Sequence, residues 1–228
     1  MLGQARTHNA KVPGMKSSAL AMVLMVTGGA VDQADTDQRM RFEQGQARQR
    51  EYERNQLMKQ GLSPLNVESM EVRQLALSDP YGMLPTPALH FEHASTGKTV
   101  LRIMRPGQPS VTASVEPQAW RALQSKEAGV FVERAYKPWK DFGPDNPAPP
   151  PPPICHGWGA IVGSGGPSGP RTAIWGACGS TGPSPKLDYI LEMMAIALRT
   201  QPDCLTEGDL FWAMNDCFVE THHRAGAG

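Results

Sequence analysis

The sequence predicts an α+β fold: a small antiparallel sheet of two hairpins plus one strand, packed by about three helices, disulfide-stapled, with a disordered or helical N-terminal arm. Three observations carry this expectation. Apolar residues alternate on both sides of a glycine-containing turn between Leu89 and Met104, and two β-rich runs flank a Gly/Pro/Ser loop between Ile154 and Cys178. Helical apolar spacing then returns from Leu187 to Leu198. At 228 residues the chain has room for one domain with appendages, and its 23 glycines and 21 prolines point to a small core with long loops.

In the first hairpin LHFEHA and KTVLRIM are joined by Ser95-Thr96-Gly97. Placing Gly97 in the left-handed position of a three-residue loop fixes the register. Leu89 then opposes Ile103, Phe91 opposes Leu101 and His93 opposes Thr99 on a core face, while His90, Glu92 and Arg102 point the other way. A spacing of three puts His90 and His93 on opposite sides of a strand, which predicts surface or edge histidines rather than joint metal ligands. Ser110 to Val115 reads as the single strand. Pro117 then opens a helix through Trp120 and Leu123 to about Lys126, with Gly129 closing it.

The second hairpin carries the staple. Four cysteines, Cys155, Cys178, Cys204 and Cys217, lie in the last third of the chain and permit three pairings. A turn centred between Gly166 and Pro167 opposes Cys155 to Cys178 and Trp158 to Trp175, at a Cα separation a disulfide spans. Cys204 is left for Cys217, tying an inter-helix turn to the end of a helix that holds Leu210, Phe211 and Met214. Thr206 followed by Asp209 resembles the N-cap signal of that helix. Trp158 and Trp175 are core if the Leu187–Leu198 helix covers them, the arrangement we favour. On the solvent side they would form an aromatic binding patch for a glycan or a protein.

Residues 1–34 read as a signal peptide region: Lys16, then the apolar run Ala19 to Val26, then Gly28, Gly29 and Ala30, with cleavage after Ala30 or Ala34. Met15 fits the true start, and the run falls short of the roughly 20 apolar residues a bilayer span needs, so no stable membrane span is expected after cleavage. Residues 35–74 read as a polar tether or solvated helix, interrupted at Gly45, because their apolar members follow no helical spacing. A single α+β domain is expected over 75–221, with a Pro-rich strap at 144–153 and a flexible tail at 222–228.

Charge and motifs narrow the function without fixing it. Net charge is zero and pI near 7, which removes the basic field that nucleic acid requires. Gly97-Lys98-Thr99 lacks the upstream glycine of a phosphate loop, and Gly157, Gly159 and Gly163 miss the dinucleotide spacing. No cofactor or metal is expected; Cys155-His156 and the tail pair His222-His223 make a poor ligand set if the cysteine is oxidised. Ser164, Ser168 and Ser180 sit in glycine-rich turns without a nucleophile elbow. No catalytic residue is assigned. His156, Ser180 and Asp188 are the weak candidates for the polar cleft of an exported hydrolase. The leading expectation is an exported, non-catalytic binding or structural module of the cell envelope, periplasmic or extracellular, with an envelope protein or glycan as partner. An interaction protein working through its N-terminal arm or polyproline strap is the remaining alternative.

Overall fold

The computed structural model describes residues 33–65, 70–133, 135–137, 157–179, 183–204 and 208–219. Residues 1–32 of the signal peptide region, the strap at 144–153, Cys155, His156, Ser180, Thr206 and the tail lie outside them. Among the described residues the chain forms α1 (Gln33–Lys59), β1 (Met70–Ser78), β2 (Ala88–Ala94), β3 (Thr99–Arg105) and β4 (Gln108–Val115). These are followed by α2 (Pro117–Lys126), β5 (Gly159–Gly165), β6 (Arg171–Gly176), a 3-10 turn (Ala177–Gly179), α3 (Pro185–Arg199) and α4 (Leu210–Phe218). The strands make one antiparallel sheet in the order β4-β3-β2-β1-β5-β6. The fold is thus α+β, with one more strand than expected; α2, α3 and α4 are the three expected helices, and α1 is the N-terminal arm in its helical form.

The first hairpin has the predicted register: Leu89 opposes Ile103, Phe91 opposes Leu101 and His93 opposes Thr99, with Gly97 at φ +83°. Pro117 occupies the first turn of α2, where its missing N–H costs nothing. The additional strand, β1, lies between the two hairpins and pairs with β2 on one side and β5 on the other. Its polar residues Glu71, Arg73 and Gln74 break the alternation a central strand normally shows, and so conceal it in the sequence.

The second hairpin departs from expectation. Its turn is centred between Pro167 and Ser168, so Trp175 opposes Ala160, and Trp158 meets Ala177 through an N–H···O bond of 3.1 Å. The tryptophans become diagonal neighbours on one face, ring centroids 4.6 Å apart, instead of facing each other. Cys178 falls beyond the ladder in the 3-10 turn, where it is disulfide-bonded.

Three layers result. One face of the sheet presents Leu75, Leu77, Phe91, Leu101 and Ile103 to Trp120 and Leu123 of α2, to α3, and to Phe211 and Met214 of α4. Cys204 and Cys217 form a disulfide with Cα atoms 5.6 Å apart, fastening the end of α4 beside the segment leaving α3. The N-cap of α4 is Asp209, whose Oδ1 accepts from the Phe211 N–H at 2.9 Å, three residues after the Thr206 expected to cap it. On the other face Leu57, Leu62 and Leu65 cover Val72, Ala76, Ala88 and Ile161.

α1 runs unbroken through Gly45, contrary to the expected interruption. It has no apolar stripe, and upstream of Leu57 it is held by polar contacts and by Phe42 against the Tyr136 ring. Tyr136 Oη donates to Asp35 Oδ1 at 2.7 Å, Arg39 lies over the Tyr136 ring, and Arg50 pairs with Glu133 at 3.2 Å. Gly165 lets the chain after α1 approach β5, because a Cβ there would overlap the Leu65 carbonyl oxygen.

Candidate functional site

The polar chemistry of the structure gathers at one end of the sheet. Arg73 stands near the start of β1, Ser164 is the penultimate residue of β5, Arg171 opens β6, and Glu127 follows α2. Glu127 Oε2 accepts from Arg73 Nε at 2.8 Å and Nη2 at 2.7 Å. Its Oε1 accepts from Ser164 Oγ at 2.9 Å and Arg171 Nη2 at 2.6 Å. Arg73 also donates to the carbonyls of Val72 and Gly165 and meets Glu71 at 3.3 Å. Its guanidinium lies over the Trp120 indole, on which His93 stacks. Burial pushes the neighbouring Tyr189 hydroxyl pKa up, against the pull of Arg73.

This constellation has a serine, a carboxylate and two cations, but its groups are consumed by one another. Each Glu127 oxygen has two donors, and Ser164 is buried within β5 instead of sitting in a flexible turn. Glu127 therefore locks α2 to β1, β5 and β6. A cavity of about 310 Å³ opens beside it, bounded by the Gly165–Gly169 turn.

The opposite end of the sheet presents a different surface. The chain leaving β1 reads Asp79-Pro80-Tyr81-Gly82-Met83-Leu84, and it displays large apolar side chains: Tyr81 is 58%, Met83 75% and Leu84 47% exposed. The loop is held from within. Asp79 Oδ2 accepts from the N–H groups of Tyr81 at 3.1 Å, Met83 at 3.1 Å and Leu84 at 3.4 Å. Gly82 takes φ +63° and donates to the Asp79 carbonyl, and Thr86 Oγ1 donates to the Leu77 carbonyl at 2.7 Å. Asp79 thus uses one carboxylate oxygen to fix a backbone whose side chains face water. Asp79 and Pro80 also line a groove of about 660 Å³ that runs between Tyr52 and Gln56 of α1 and the ends of β1, β5 and β6.

Trp158 and Trp175 also line this groove, with their rings packed against the helical layer. Strand alternation turns Trp175 away from Ile174 and into the helical layer, where it is buried; Trp158 is half-buried and stacks on Phe211 at 5.2 Å. The cover comes from α4 as well as α3. Asp188 is exposed on the first turn of α3, and its proposed companions His156 and Ser180 lie outside the described residues.

The histidines are also placed differently. His90 is buried, with Nδ1 2.9 Å from Gln74 Nε2 and Nε2 2.8 Å from Glu92 Oε1; Gln74 Nε2 also donates to the Ser63 carbonyl. The amide can only donate to Nδ1, so Nε2 carries the proton that faces Glu92. Burial lowers the His90 pKa despite that carboxylate. His93 bonds Thr99 Oγ1 at 2.7 Å.

Sequence reasoning passed over the Asp79 loop and the Glu127 lock. An Asp-Pro-x-Gly turn followed at once by Met-Leu is a legible signal for the loop, since turns of this kind usually carry polar residues. The lock had no local signal, because its members come from four separate elements. Among the described residues no helix is long and apolar enough to cross a membrane. No family model matches the chain, and neither a curated protein nor a solved structure does.

Proposed function

We propose that this chain is an exported, non-catalytic binding module of the cell envelope, and that the Asp79–Leu84 loop is the surface it offers to a protein partner. The observation that carries the reading is the internal fixing of an apolar loop. Exposed apolar side chains cost solubility, and a carboxylate spent on holding them in place reduces the ordering that binding would otherwise require. A protein is favoured over a glycan because Trp175 is buried in the core and Trp158 is half-buried with its ring stacked on Phe211, which leaves little ring face for a sugar to stack on. Export rests on the Lys16–Ala30 pattern together with the Cys204–Cys217 disulfide, a bond that persists in oxidising compartments. The non-catalytic part rests on the saturation of Glu127, Arg73 and Ser164 by each other.

Site-specific photocrosslinking in the producing cell tests this reading. A benzophenone side chain at Met83 is expected to give a discrete adduct in the envelope fraction, lost on Asp79→Ala. The same probe at exposed Lys98, at the other end of the sheet, should give none. Equal labelling from both positions, or adducts confined to the cytoplasmic fraction, would overturn it.

A further inference from the structure

We propose that β4 is a homodimer edge: the β4 of a second copy adds to it antiparallel, making one continuous sheet across two protomers. The two borders of the sheet are built differently. β6 begins with the charged Arg171 and is flanked by α1 and by Phe131–Glu133. β4 has only β3 beside it in the sheet, and among the described residues α2 leaves its end at Pro117 to pack on the sheet face. Edge strands are ordinarily guarded by lysine, proline, a bulge or a covering segment. In β4 the proline is Pro109, and the register shift lies between Ile103 and Arg105, both at the hairpin end. From Ser110 to Val115 the strand pairs regularly and carries no charge and no proline.

The composition of this stretch favours a second copy over an unrelated strand. A two-fold axis sets each residue of the edge opposite the one an equal distance beyond the axis in the second copy, so the stretch 110–115 faces itself and like charges placed along it would be brought close together. Ser110, Thr112 and Ser114 point to the open face, where hydroxyls can bond their symmetry mates. Val111 and Val115 lie on the helical side, so pairing extends the apolar row of Leu101 and Ile103 from one protomer into the next. Because the other border is flanked, association by this route closes at two subunits and does not run on into filaments.

Sedimentation velocity on the full chain tests the proposal. The wild type is expected to sediment as a dimer of the 24.7 kDa chain. Thr112→Lys with Ser114→Lys alters two exposed side chains, so the far-ultraviolet dichroism and thermal midpoint should hold while the dimer dissociation constant rises at least about tenfold. Thr112→Glu with Ser114→Glu should dissociate likewise, and mixing the Lys and Glu variants should restore a heterodimer, which a folding defect in either would not do. A monomeric wild type, assemblies larger than two, a persistent dimer in both variants, or failure of the mixture to associate would each overturn it.

Discussion

Replacing Glu127 with alanine leaves Arg73 charged and buried without its principal partner. Its side chain is 8% exposed, so water cannot substitute for the carboxylate that takes its Nε and Nη2. Breaking a buried pair from one side costs roughly 3–5 kcal/mol. Two carbonyls and Glu71 at 3.3 Å still reach the guanidinium, which places the expected loss near the lower end, about 3 kcal/mol. The Arg171 arm adds little, because that side chain is 45% exposed and such pairs contribute about 0–1 kcal/mol. For a chain of this size the loss corresponds to a fall of about 6–12 °C in thermal midpoint. Urea unfolding followed by tryptophan fluorescence reads it directly. Glu127→Ala should lower the urea midpoint at unchanged slope, while Arg171→Ala should lower the unfolding free energy by less than about 1 kcal/mol. Arg73→Met combined with Glu127→Met removes both charges and should lie closer to wild type than Glu127→Ala alone. A Glu127→Ala cost below about 1 kcal/mol, or a double variant worse than the single one, would refute the idea of a buried lock.

Three further outcomes follow from the geometry. His90 is held neutral, its pKa lowered by burial, so stability should be full above about pH 6.5 and fall as the pH drops from there toward its folded value; His90→Gln should flatten that slope in pH-dependent urea titrations. Gly165→Ala drives a methyl into the Leu65 carbonyl and should cost about 1–3 kcal/mol, whereas Gly176→Ala, with open space around the new Cβ, should be nearly neutral by the same measurement. Removing the Cys204–Cys217 bridge by Cys204→Ser with Cys217→Ser should lower stability by roughly 3 kcal/mol, the value for a loop of this length, in calorimetry of the oxidised and variant proteins.

What could be read from the sequence followed from local rules. The Leu89–Met104 hairpin carried its register in a glycine turn and strict alternation, and α2 carried its start in Pro117, so both were legible. β1 was not, because a strand buried on both faces can hold Arg73, Gln74 and Glu71 once distant partners satisfy them. Those partners, Glu127, Ser63 and Gln124, belong to other parts of the chain. The second hairpin was read with its turn displaced by one position, since a Gly/Ser/Pro loop offers several turns of similar energy and the close fit of Gly165 against Leu65 is a tertiary constraint. α1 shows the same limit: its propensity was legible, but the contacts of Tyr136 and Glu133 that hold it depend on a segment far along the chain. Of the candidate site, the aromatic pair is legible in the sequence, and its placement toward the helical layer follows from the apolar stripe of α3, whereas the part α4 plays through Phe211 is a tertiary contact. Asp79 was missed because three N–H donors converge on a carboxylate only in the folded loop.

Non-reducing peptide mapping of the chain recovered from the envelope fraction tests the central claim most directly, since export and oxidation underlie the proposed role. The expected result is a chain whose N-terminus begins at Val31 or Asp35, a Cys204–Cys217 linked peptide, and Cys178 in a disulfide. Four free thiols on a chain that keeps its residues before Ala30 and fractionates with the cytoplasm would contradict it.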